Sequence, residues 1–303
     1  MSAPAPKLPL LPVSSRPRQS LVRSRPSTSA SDSSADSPNV FGCRPPESFP
    51  IVTCATGPTL VWSRSRSNLV PLTGPETTCK LQTASCMDWA AKREWALDEH
   101  ERRLVTPATE GEREDFRLAG IAGASWAAGL SAVMLGEPEE ASALLRRAAD
   151  QYETSWGAAP AGAWGRPIAM LRCRLMAGDH DGARRDAEAA LAAGAAEATG
   201  PIGGYCAALA LLVLRRDPEA RPVAERIAEE GLQPVAVAHA LAALAAADAP
   251  AYEAARREVL GSFEERDAFL EDVPVADTVL VLDALARERG LEVTALSSPL
   301  LPA

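Results

Sequence analysis

The chain has 303 residues, with 40 Asp/Glu against 31 Lys/Arg and a formal net charge of −9. Residues 1–86 hold nine Lys/Arg, four Asp/Glu and 13 of the 25 prolines (net +5), while residues 87–303 hold 22 Lys/Arg and 36 Asp/Glu (net −14). The acidity of the second part argues against nucleic acid as its partner. Its size, enough to bury roughly 70% of the unfolded surface, removes the need for disulfides or a structural metal.

Pro and Ser dominate Ser14–Pro50, where apolar residues never recur at helical spacing. Such a segment cannot bury enough surface to offset its ordering entropy and is expected to be disordered. No acid precedes Asp32, as in transit peptides, but prolines at 4, 6, 9 and 12 break an amphipathic helix and any secretory core over Leu8–Val13. The strand-like run Pro50–Trp62 has no partner, and Cys43, Cys54, Cys79 and Cys86 lack the C-x-x-C spacing of a zinc site. The composition changes at Met87, directly before Asp88, a good helix cap. Two origins of residues 1–86 fit this break: a disordered Pro/Ser/Arg-rich segment, or a misassigned upstream frame ahead of a true start at Met87.

From Met87 onward, apolar spacing and punctuation predict ten helices. They run from Asp88 to about Leu104, after Thr109 to Leu135, Glu137 to near Trp156, Pro167–Ala177 and Asp181–Ala193. The series continues with Pro201–Arg215, Asp217 to Gly231, Pro234–Ala247, Pro250 to near Glu271 and Pro274–Arg289. The uncharged stretch Leu118–Gly136 is rich in Ala, Gly and Ser, which drive membrane insertion poorly, so a helix buried inside the domain is expected rather than a membrane span. Cys173 and Cys206 lie in apolar runs and read as small buried hydrophobes of a reducing cytoplasm.

One junction recurs. An apolar helix ends and an amphipathic one begins at the acidic caps Glu137, Asp179, Asp217 and Asp248, spaced by 42, 38 and 31 residues. This is an irregular helical-hairpin repeat of tetratricopeptide-like size. Isolated helices of such length are marginal in water, so each hairpin must bury its stripe on the next. The predicted fold is all-α, an α-α superhelix of stacked antiparallel helix pairs.

Few residues suggest chemistry. Asp179, His180 and Asp181 resemble the start of a calcium loop without its later ligands, and Asp181 is expected simply to cap the fifth helix. Arginine pairs at 102–103, 146–147, 184–185, 215–216 and 256–257 could form a basic stripe. The i,i+4 pairs Asp98–Arg102, Glu99–Arg103, Asp181–Arg185 and Glu253–Arg257 instead predict a self-neutralised, solvated face. His100, His180 and His239 share no metal spacing, and His239, in an apolar helix, is expected in the core. No phosphate loop or nucleophile elbow is present. No catalytic residue, metal ligand or cofactor is therefore expected.

Two segments rise above this background. Trp156 and Trp164 flank a Gly/Pro-rich loop leading to Arg166, and read either as interface anchors or as a plug with Arg166 bonded to loop carbonyls. The second segment carries Glu264, Arg266 and Asp267, followed by Asp277 in a first helical turn, where the helix dipole favours an acid.

The run Gly162–Leu175, the turn and Ala-rich helix up to Gly194, Arg266-Asp267 before a short turn, the apolar helix through Leu285-Ala286, Gly290–Val293 and Ser298–Pro302 together resemble an all-helical bacterial immunity family. It is the family numbered forty-nine among the immunity proteins of polymorphic toxin systems. The resemblance covers about residues 150–302 and departs at Gly165-Arg166-Pro167, where the family is more apolar and aromatic. It implies an antidote that binds and neutralises a toxin. The expected function is thus a cytoplasmic protein-binding module whose partner, a basic toxin, meets Trp156, Trp164, Arg166, Glu264, Arg266, Asp267 and Asp277. The alternatives are a tetratricopeptide-like scaffold without a toxin and, third, an enzyme whose site residues meet only in space.

Overall fold

The computed structural model describes residues 87–303, and the expectations for residues 1–86 lie outside the described residues. Among the described residues the chain is all-α. The helices are α1 (Trp89–Val105), α2 (Glu114–Met134), α3 (Pro138–Ala158), α4 (Gly165–Met176), α5 (His180–Ala192), α6 (Pro201–Val213), α7 (Asp217–Glu229), α8 (Val235–Ala245), α9 (Ala249–Glu264) and α10 (Asp277–Glu288), with a 3₁₀ turn at Leu270–Asp272.

Local chemistry sets most of these boundaries. Asp88, Asp179 and Asp248 each accept a hydrogen bond from the backbone N–H three residues on, at 3.0, 3.1 and 3.0 Å, satisfying a donor that the helix itself cannot. Asp179 therefore caps α5, and Asp181, the expected cap, lies in the first turn. Glu137 precedes α3 without a side-chain cap bond, and Asp217 is the first residue of α7. At the helix ends, Gly136 and Gly178 turn the chain with φ of 71° and 67°. Arg215 and Ala247 do the same after α6 and α8 with φ of 58° and 52°, a conformation that costs a side-chain-bearing residue about 1–2 kcal/mol.

Three boundaries differ from expectation. α2 begins at Glu114 because the Thr109 N–H and hydroxyl both donate to Glu112 at 3.0 Å, tying off a separate turn. α9 stops at Glu264 and α10 starts only at Asp277. Between them the chain enters left-handed conformation at Glu271 and Asp272 (both φ 52°). Arg103 holds Glu271 there through two hydrogen bonds of 2.8 and 2.9 Å, over a spot on α2 where Gly123 leaves no Cβ in the way.

Consecutive helices pack against each other, and α4, α6 and α8 also touch in series, with α10 laid on α4, α8 and α9. Short links between packed neighbours make the pairs antiparallel. Two cores result. One joins α1–α4, and includes Val273 and Val275 from the α9–α10 link; the other runs from α4 to α10 and includes Leu300. The link thus carries residues from the end of the chain back to its first helices. Ile121–Ala132 are all buried, although α2 is the one helix among the described residues long and apolar enough to cross a membrane. Cys173 and Cys206 are free and buried, and burial pushes both thiols up to about 12.

Two surface expectations change. His239 is exposed rather than in the core, because it lies one helical turn after Val235, the other exposed position of α8, while positions 236–238, 240, 241, 243 and 244 are buried. Glu99–Arg103 and Glu253–Arg257 pair at i,i+4, whereas Arg102 and Arg184 choose Glu99 and Asp181 at i,i+3. Arg256 leaves the solvated face altogether. It is 1% exposed and bonds Asp283 and the Thr294 carbonyl.

Candidate partner-binding site

Trp156 closes α3, the chain turns through Gly162 (φ 87°), and Trp164 immediately precedes α4. Both rings are partly buried and pack on the core. Trp164 has a seat because α6 offers Gly203 beneath it: a Cβ there would stand 3.2 Å from the indole and 2.4 Å from Ala198. Beside it lies a shallow cleft of about 610 Å³, lined by Trp164, Glu197 and Ile202, the last 51% exposed.

Arg166 leads away from this loop, and it bonds side chains, not the loop carbonyls expected. Its Nε donates to Ser155 Oγ at 3.0 Å, and Ser155 in turn donates to the Asp115 carbonyl at 2.7 Å. Its guanidinium lies 3.7 Å from the Asp115 carboxylate and 5.3 Å from the Phe116 ring. Arg113 approaches the same ring at 4.7 Å while bonding Asp115 through two contacts of 2.9 Å. Phe116 remains 54% exposed beside the two cations. Sequence reasoning passed over Phe116; the available signal was an aromatic residue beside Arg113 and Asp115 at the start of an otherwise apolar helix.

The second predicted segment meets the same helix farther along. Asp277, only 3% exposed, is held by Arg172 of α4, whose guanidinium also reaches Thr278 Oγ1 at 3.3 Å. Asp277 therefore acts by holding Arg172, not by presenting a free charge. Burial opposes the charge on Arg172, yet Asp277, with Tyr205, Cys173 and Tyr152 beyond it, holds the guanidinium above its ordinary range. Arg266 stacks on Phe263 with its guanidinium 3.6 Å from the ring centroid. Burial lowers its pKa, Asp277 works against that and Arg172 adds to it. Glu264 is tied to the chain end, accepting from the Ser298 hydroxyl at 2.8 Å, and Asp267 is exposed in the turn after α9.

Tyr152 of α3 is buried, 6% exposed. Its phenol, like that of Tyr205, is raised above the ordinary range first by burial. Trp164 and Arg166 thus stand at the start of α4, and Asp277 meets the same helix farther along through Arg172. Arg172, the residue that joins the second group to α4, was not singled out from sequence. Among the described residues, no group of three His, Cys, Asp or Glu is arranged to hold a metal ion. Compared with known proteins, the chain matches no family model, and neither curated proteins nor solved structures yield a significant match.

Proposed function

We propose that residues 87–303 form a cytoplasmic protein-binding module whose partner docks on the face made by the start of α2 and the α3–α4 loop. One observation carries this reading: Phe116 is half exposed and has the guanidiniums of both Arg113 and Arg166 within 4.7 and 5.3 Å of its ring centroid. Interfaces concentrate their binding energy in aromatic and arginine side chains that are fixed before the partner arrives. The Asp115 and Ser155 bonds fix Arg166 in this way. The net −14 of residues 87–303 favours a basic partner by long-range attraction. In the specific form of the proposal this partner is a toxin, neutralised by direct binding, as the resemblance to an immunity family suggests.

The test is affinity capture from cells of the source organism with the full chain. Three baits are compared: wild type, the double variant Phe116→Ala/Trp164→Ala, and Arg221→Ala on the exposed side of α7. A basic protein recovered by wild type and Arg221→Ala but lost from the double variant, with helical content unchanged, is the expected result. Equal recovery by all three, or recovery by none, refutes the proposal.

A further inference from the structure

The cleft of about 610 Å³ between the α3–α4 loop and the start of α6 has the size of a small-group site. Its wall consists of glycines and other small residues, the Trp164 ring, the half-exposed Ile202 and one charged residue, Glu197. Glu197 is exposed in the turn after α5 and makes no hydrogen bond or ion pair among the described residues. Trp164 is seated on the core and against Gly203, so its position is set before anything enters the cleft. Guanidiniums on neighbouring segments are already paired. Arg166 turns away to Ser155 and Asp115, and Arg226, beside Gly204, bonds Glu230 at 2.5 Å. The first turn of α6 also lines the cleft. Its dipole contributes about half a positive charge, less than the full negative charge of Glu197, so the cleft is negative on balance.

We propose that this cleft receives an arginine side chain of the protein partner, with Glu197 accepting from the guanidinium and the Trp164 ring lying against its plane. A guanidinium suits both walls. It is flat and stacks on an indole, whose ring face attracts a cation, and its fork of N–H groups matches a carboxylate two at a time. Ile202 offers an apolar surface for the aliphatic stem. An uncharged side chain in the same place would strip water from Glu197 and return nothing to it. The net −14 of residues 87–303 draws a partner of the same sign at long range. The cleft borders the α3–α4 loop, so this assignment rests on the docking face proposed above and names the chemistry that one part of it reads.

The test follows the Trp164 indole N–H by NMR in the full chain, isotopically labelled at its tryptophans, with the signal assigned by its loss in Trp164→Phe. The chain is titrated with N-acetyl-arginine methylamide and, in parallel at equal ionic strength, with the lysine and citrulline counterparts. Citrulline keeps the shape of arginine without its charge. The expected result is a saturable shift with the arginine compound, a weaker one with lysine and none with citrulline. Its midpoint concentration should rise about fivefold or more in Glu197→Gln and stay unchanged in Glu258→Gln, an exposed acid on α9. Absence of a saturable shift, an equal response to citrulline, a stronger response to lysine, or an unchanged midpoint in Glu197→Gln overturns the proposal. No protein partner enters this titration, so its failure removes the arginine site and leaves the docking face to the capture experiment, which can itself fail with the titration still positive.

Discussion

Replacing Arg174 with methionine removes one charge from a site where three carboxylates depend on it. Arg174, 4% exposed on α4, bonds Asp186 of α5 at 3.0 Å, Asp179 of the intervening turn at 2.9 Å and Asp150 of α3 at 2.5 Å. Asp179 also caps α5, so the cluster links three helices. Methionine keeps most of the aliphatic volume but leaves Asp186, 1% exposed, with Arg185 alone at 2.9 Å. Stranding a buried charge this way costs about 3–5 kcal/mol. Asp150 and Asp179 keep contact with water at 65% and 23% exposure, which places the expected loss at the lower end, about 3 kcal/mol. For a domain of this size that is a fall of roughly 6–12 °C in melting temperature. Adding Asp186→Leu should restore most of it, because the stranded charge rather than the lost pair is the source of the cost. Urea and thermal unfolding followed by circular dichroism measure both. A loss below about 1 kcal/mol, or no recovery in the double variant, would refute this account of the cluster.

Ala183→Asp places a carboxylate at a position 1% exposed. It should unfold the domain, while Arg185→Ala, 58% exposed, should cost no more than about 1 kcal/mol; similar melts for the two would show the helix register to be wrong. Trp164→Ala should weaken binding of the captured partner by about 2 kcal/mol or more while helical content stays native. Lost stability with unchanged affinity would return the ring to a purely structural role. His100 is 3% exposed and bonded to Gln151 at 2.7 Å. Burial first, then Arg147, lowers its pKa below 6.5, with Glu101 opposing. The unfolded chain therefore takes up the proton first as pH falls through 6.5, and stability declines until the folded ring is protonated too. Unfolding free energies from pH 7.5 to 5 should fall less in His100→Gln than in wild type, and an equal fall in the two would contradict the assignment.

What could be read in the sequence was chiefly what is decided within a few residues. The starts of α1, α3, α6, α7 and α9 follow from Asp caps and first-turn prolines, and those signals act locally. The choice between Asp179 and Asp181 as cap of α5 turned on hydrogen-bond geometry two residues apart, which composition does not resolve. The path of the α9–α10 link was not legible, because Glu271 within it is held by Arg103, 168 residues away in sequence. His239 was misplaced since its neighbours are all apolar, and only the packing of α8 reveals which stripe faces water. In the candidate site the tryptophans were conspicuous by type. Phe116 and Arg172 acquire meaning only from Arg166 and Asp277, which the fold brings to them from other helices.

A partner protein that docks as proposed covers the arginine–aromatic face. Hydroxyl-radical footprinting of the full chain, free and in complex with the captured protein, addresses this directly because the side chains in question are reactive aromatics. Phe116, Trp156 and Trp164 should lose reactivity in the complex, while Trp95 on α1 stays unchanged. Protection confined to other helices, with Phe116 as reactive in the complex as in the free chain, would contradict the proposed docking face.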